Sequence, residues 1–171
     1  MDTMTNSLQR MLDLQDQMQA DTYGLGLADL LPGDVPGAVD QVKINVLAAT
    51  DELHELLAET SWKPWAKGDF VNLTAARGEF IDAWHFMLNL ANLLGLDADE
   101  IEERYLAKRA KNIRRQEEGY DGVSTKCPGC KRALDDDGVD CKPRVQRLGT
   151  DEEVAGVYCA MRGRFIPEAR S

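Results

Sequence analysis

VKINVLAATDELHELLAE (residues 42–59) and GEFIDAWHFMLNLANLLG (residues 78–95) decide the reading of this chain. In the first, Val42, Val46, Leu47, Ala49, Leu53, Leu56 and Leu57 recur at helical spacing. In the second, Phe80, Ile81, Trp84, Met87, Leu88 and Ala91 do the same. Each segment also carries two carboxylates three residues apart, Glu52 with Glu55 and Glu79 with Asp82. Three residues turn a helix by about 300°, so each pair projects from one face. Four carboxylates meeting at one spot repel one another unless cations sit among them. Hard oxygen donors suit Mg²⁺ or Mn²⁺, and Mg²⁺ commonly joins one or two carboxylates to substrate phosphates. A magnesium site for a phosphate-bearing substrate is the leading expectation. The competing reading is a pair of solvated helix faces, since Glu is a good helix former and this spacing is common.

Working outward, Leu8, Met11, Leu12, Gln15 and Met18 recur as a first helix, after which Gly24, Gly26, Pro32, Gly33, Pro36 and Gly37 break the pattern into a long loop. The second helix runs from about Val39 to Glu59 and stops near Trp62-Lys63-Pro64-Trp65. The third runs from about Leu73 to Leu94, with Gly95 capping it. Asp97 or Asp99 opens a fourth, with Ile101, Tyr105, Leu106 and Ile113, which ends near Gly119. Residues 1–120 are therefore expected to form an all-α, four-helix domain. After Asp121 the texture changes to Cys127-Pro-Gly-Cys130, an acidic turn at Asp135-Asp-Asp-Gly138, and residues suited to short strands from Val154 to Phe165. Residues 121–171 are expected to be a small, cysteine-rich, zinc-ribbon-like segment.

With 171 residues, 43% of them hydrophobic, the chain can bury a core. Its net charge of -10 is uneven: residues 1–120 hold 11 Lys or Arg against 21 Asp or Glu, and residues 121–171 hold nine of each. Such an acidic surface argues against broad nucleic-acid binding. The start, Met1-Asp-Thr-Met-Thr-Asn, lacks a basic region followed by an apolar run, and no stretch approaches the roughly 18 apolar residues of a spanning helix. A cytoplasmic protein without a membrane partner is expected. In a reducing compartment, cysteines favour a metal over disulfides. Cys127, Cys130, Cys141 and Cys159 would complete a tetrahedral Cys₄ zinc site, although the second half lacks a Cys-x-x-Cys and unpaired buried thiols are the alternative. Zinc would hold a segment too small to fold on its own core.

In the fourth helix Lys108, Arg109, Lys111, Arg114 and Arg115 follow an acidic first turn. Acid first and base last complements the helix macrodipole. The functional reading is that Lys108, Asn112 and Arg115 donate to substrate phosphates.

The ordered set Leu14-Gln15, Gln19, Thr22, Glu52-x-x-Glu55, Trp62-Lys63-Pro64-Trp65, Glu79-x-x-Asp82-x-x-His85-Phe86 and Tyr105-x-x-Lys108-x-x-x-Asn112-x-x-Arg115-Gln116-x-x-Gly119-Tyr120 resembles the dimeric, all-α dUTPases. These belong to the wider all-α nucleoside triphosphate pyrophosphohydrolases, which include MazG-like enzymes and phage dCTPase-dUTPases. The resemblance spans most of residues 8 to 120. It implies a homodimer that hydrolyses a deoxynucleoside triphosphate, dUTP foremost, to monophosphate and pyrophosphate. It implies two or more Mg²⁺ on Glu52, Glu55, Glu79 and Asp82, with Glu55, Lys63 and Lys108 catalytic. Lys63, Lys108, Asn112, Arg115 and Tyr120 would bind phosphate, and Gln15, Gln19, Trp62 and His85 would form the base pocket. Uracil-binding enzymes of this kind usually carry Asn where Gln19 stands, so dCTP, a purine or a modified base stays open. So does a different class, a non-catalytic helical scaffold whose zinc-bound tail, with Lys142, Arg144, Arg147, Arg162 and Arg164, serves as an interaction module.

Overall fold

The computed structural model describes residues 7–122, 125–136, 138–147 and 153–167. Asp137 of the acidic turn and the first six residues lie outside them. The chain divides into two compact units, Met1–Leu106 and Ala107–Ser171. The division falls inside a helix rather than at the change of composition after residue 120.

The first unit contains α1 (Ser7–Tyr23), α2 (Leu30–Gly33), α3 (Val35–Ala58), α4 (Leu73–Leu93) and the start of α5 (Ala98–Glu117). Local chemistry sets the helix ends. Asp34 accepts from the Gly37 amide at 3.0 Å to start α3, with Pro36 in the first turn. Asn72 caps α4. At the end of α4, Gly95 adopts φ +69 while Leu96 donates back to the Ala91 carbonyl, the left-handed exit that glycine takes without strain. Asp97 then accepts from the Glu100 amide at 2.8 Å to open α5.

The glycine- and proline-rich stretch expected as one loop contains the single-turn α2. Its apolar residues explain the difference: Leu27 is fully buried, Leu25 and Leu30 pack with Ala38, Val42 and Leu93, and the Leu27 amide donates to Asp16 at 3.0 Å. A second cluster joins Leu12, Leu88 and Ala98 with Leu8, Trp84, Ala91 and Ile101. Burying each such leucine contributes roughly 1.5–3 kcal/mol.

Helix α4 packs along α3 and against α1, and a chain of amides runs through this contact. Gln15 Nε2 donates to Asn89 Oδ1 at 2.9 Å, Asn89 Nδ2 to Asn45 Oδ1 at 2.8 Å, and Asn45 Nδ2 to the Gln41 carbonyl at 2.9 Å. All three side chains are buried. Among the described residues no buried side-chain polar atom lacks a partner, as burial demands.

The second unit carries a three-stranded antiparallel sheet of order β1-β2-β3, built from β1 (Lys142–Arg147), β2 (Glu153–Cys159) and β3 (Arg164–Pro167). Strands were expected from Val154 to Phe165, and β1 is additional. The unit's core is Cys127, Cys141, Val157 and Cys159, with Cys130, Leu134, Val139 and Ile166 packed on it. No helix among the described residues is long and apolar enough to cross a membrane.

Removing one amide from the α1–α4–α3 chain orphans two buried partners, each costing about 1–3 kcal/mol. Asn89→Ala is therefore expected to destabilise the fold by about 2 kcal/mol or more, seen as a lower urea midpoint followed by helical circular dichroism. An unchanged midpoint would show that the amides contribute nothing to the helix packing.

Candidate active site

The same register that joins Asn45 to Asn89 brings the acids together. The two helices run in opposite directions, so the seven residues from Asn45 forward to Glu52 match the seven from Asn89 back to Asp82. Three further steps set Glu55 opposite Glu79, about two to three turns from the amide pair. The carboxylate oxygens of Glu52, Glu55 and Glu79 lie within 4.8 Å of one another. Asp82 falls outside that tight group but near enough to act on Glu52.

The Glu52 carboxyl is pushed above its ordinary value, first by partial burial and then by the charges of Glu55, Asp82, Glu79 and Asp51. Sequence reasoning missed Asp51 as a contributor, because its neighbour Glu52 carried the motif. Crowded carboxylates at the end of a helix seam are the donor set a hard divalent cation takes. The residues fit Mg²⁺ or Mn²⁺.

A closed loop joins the two acid-bearing helices. Thr60 bridges Val71, the Ser61 amide donates to the Phe70 carbonyl at 3.1 Å, and Asn72 Nδ2 donates to Glu59 at 2.7 Å. Trp62 and Lys63 ride on this loop, both exposed, with the Lys63 ammonium 5.7 Å from the Trp62 ring centroid.

Of the residues expected to meet a base, Gln15 and His85 touch. His85 Nδ1 lies 2.7 Å from Gln15 Oε1. The polarity of this contact is set at the far end of the amide chain. The Gln41 carbonyl can only accept, so Asn45 donates to it, Asn89 to Asn45, and Gln15 to Asn89. Gln15 thus presents its oxygen to His85, which places the proton of neutral His85 on Nδ1 and leaves Nε2 as an acceptor. Gln19, partly buried on α1, takes no part in this chain. Asn45 and Asn89 were missed from sequence, although an amide at a helical position where periodicity calls for an apolar residue was the available signal.

The remaining expected residues belong to the second unit. Lys108 pairs with Asp136 at 3.4 Å, Lys111 with Asp136 at 3.2 Å, and Arg115 with Asp136 at 2.9 Å. Arg115 also grips both oxygens of Asp135, its Nε at 3.0 Å, and stacks over the Tyr120 ring at 5.1 Å. Hydrogen bonding first to Lys111, and then to Arg115 and Lys108, holds the Asp136 carboxyl down to about 2. Asn112 stays exposed. Lys111 and the acidic turn that receives it were not singled out as partners, since they lie far apart in sequence.

The sequence model of the dUTPase family matches residues 7–92. The chain belongs to the dUTPase family. A dCTP pyrophosphatase of Enterobacteria phage LZ5 is 35% identical over 75 residues, 37% of this chain and 44% of that protein. The chain thus matches less than half the length of this curated relative. No solved structure matches the chain. The family match takes in the amide chain, both acid pairs, Trp62, Lys63 and His85, and ends before α5 and the cysteines.

Because the folded pKa of Glu52 is raised, its ionisation opposes folding. That penalty is absent below the ordinary value of 4.5 and develops as pH rises through the folded value. In chelator at neutral pH, Glu52→Gln is expected to melt higher than wild type, with the difference vanishing in acid. A variant no more stable than wild type at neutral pH would contradict the crowding.

Proposed function

We propose that the chain hydrolyses a deoxynucleoside triphosphate to monophosphate and pyrophosphate, with Mg²⁺ or Mn²⁺ bound by Glu52, Glu55, Glu79 and Asp82. The observation that carries this reading is the convergence of three carboxylates from two helices, inside the stretch that matches the dUTPase family. We take dUTP as the first substrate. A phage dCTP pyrophosphatase among its relatives makes dCTP the second reading.

When bound, the ions would offset the triphosphate's charge and make water a better nucleophile. The chain's own residues do the rest. Glu55, the exposed member of the trio, orients the attacking water and takes its proton. Lys63, on the loop between the acid-bearing helices, donates to phosphate as a charge-assisted partner. His85 offers Nε2 as an acceptor toward the base, held in that tautomer by Gln15, while Gln19 and Trp62 line the rest of the pocket. Uracil's N3–H is a donor and cytosine's N3 is an acceptor, so a fixed acceptor at His85 favours uracil. Lys108 and Arg115 are engaged by Asp136 and Asp135 within the second unit, so the proposal rests on residues of the first unit and gives Lys108, Asn112, Arg115 and Tyr120 no part.

The active species is proposed to be a homodimer. Ile44, Leu47 and Leu53 on α3, and Phe80, Ile81 and Met87 on α4, are each about half exposed or more, which supplies apolar area for a second copy to bury.

Purified protein with Mg²⁺ is expected to release pyrophosphate from dUTP or dCTP, and to sediment as a dimer. Glu52→Gln and Asp82→Asn are expected to lose ~10²–10³-fold in kcat, the scale of losing charge stabilisation at a reacting centre, while keeping wild-type circular dichroism. Full turnover in both variants would remove the acids from catalysis, and an active monomer would remove the dimer.

A further inference from the structure

Beyond the family match lies a second cluster with different chemistry. The sulfurs of Cys127, Cys130, Cys141 and Cys159 all fall within 4.8 Å of one another, and those of Cys130 and Cys141 are 3.7 Å apart. None is in a disulfide. Four thiolates bound to zinc at about 2.3 Å sit at the corners of a tetrahedron whose edges are about 3.8 Å. The sulfurs already stand near that spacing.

Three stretches of chain are shaped to deliver them. Residues 126–133 form a tight knuckle: Lys126 bridges Ala133, the Cys127 amide donates to the Arg132 carbonyl at 2.8 Å, and the Lys131 amide returns to the Cys127 carbonyl at 2.9 Å. Lys131 accepts a left-handed backbone, φ 63, to close it. Cys141 immediately precedes β1 and Cys159 ends β2, at the matched end of the ladder that pairs Lys142 with Tyr158. Gly129 seals the approach: a Cβ there would sit 2.2 Å from Ile166 Cδ1 and 3.1 Å from the Cys159 sulfur.

Among the described residues, the sulfur cluster also forms the unit's core. Val157, Leu134, Val139 and Ile166 surround the four cysteines, and a segment with so little apolar burial ordinarily needs a metal or disulfides. Soft, buried, tetrahedral sulfur selects Zn²⁺ rather than the hard ions suited to Glu52 and Glu79.

We propose that Cys127, Cys130, Cys141 and Cys159 bind one Zn²⁺ in a closed structural site on which the 126–133 knuckle and the β1-β2-β3 sheet depend. Binding exchanges the thiol protons for the ion and releases them to solvent, with no change of oxidation state. All four protein ligands are supplied by the chain, so no position is left for substrate or water. The loop between Cys130 and Cys141 carries Asp135 and Asp136, so the ion also steadies the carboxylates that pair with Lys111 and Arg115 in the same unit.

The test uses the full chain, purified without chelator from zinc-supplemented medium. Elemental analysis is expected to find one zinc per chain, and replacement by Co²⁺ is expected to give the intense visible and near-ultraviolet bands of tetrahedral thiolate ligation. Cys130→Ser and Cys159→Ser are expected to lose most of the zinc and to become protease-sensitive after residue 120, while the helical circular dichroism persists. If a variant does not fold, the Co²⁺ spectrum of the wild-type chain still decides. Less than about a tenth of an equivalent of zinc with no thiolate band from Co²⁺, or variants that keep wild-type zinc, would overturn the proposal.

Discussion

The pairing of α3 with α4 in one antiparallel register is the constraint on which the rest depends. Apolar packing alone specifies that register weakly, because α3 buries only Ala38, Asn45 and Ala49. Slipping one helix by a turn along such a seam exchanges one small residue for another. The Asn45–Asn89 hydrogen bond cannot slip, since each amide would be left buried without a partner. Fixing it fixes the approach of Glu52 and Glu55 to Glu79, two turns or more along the seam, against their mutual repulsion. Polar specificity at one end thus holds an electrostatically unfavourable cluster at the other.

The long helices were legible because each carries its own period, helped by caps between α4 and α5, whereas the Asp34 cap and first turn of α3 lay in the stretch expected as a loop. Gly95 and Asp97 appear in the sequence as the stop and start signals they prove to be. What was not legible has a physical reason in each case. Helix α2 is four residues long and contains Pro32 and Gly33, so no period can show. Strand β1, Lys-Pro-Arg-Val-Gln-Arg, is exposed along its whole length and lacks the alternation that marks a half-buried strand. The spacing of the acid pairs predicted that they share a face, but not that Asp82 would stand apart from the tight trio. Asn45 and Asn89 went unread because an isolated amide in an apolar helix acquires meaning only when its partner is known, 44 residues away.

The two units carry two kinds of candidate metal donor. On α3 and α4 the donors are hard, partly exposed carboxylates whose charges destabilise one another, which suits ions that come and go with a substrate. In the cysteine-rich unit the donors are soft and largely buried, which suits an ion that stays. The amide chain adds a third element: it hands a defined polarity from a backbone carbonyl on α3 through Asn89 to Gln15, and so to His85 on α4. These features connect fold to function through the same few helix positions.

If the α3–α4 carboxylates bind divalent ions for phosphate chemistry, they hold Mn²⁺ in solution. The most direct measurement counts bound Mn²⁺ by electron paramagnetic resonance in the zinc-loaded chain, with and without a non-hydrolysable deoxynucleotide. Bound Mn²⁺ is expected in the wild type, tightened by nucleotide and lost in Glu79→Gln. Unchanged Mn²⁺ binding in that variant, or no binding in the wild type with nucleotide present, would contradict it.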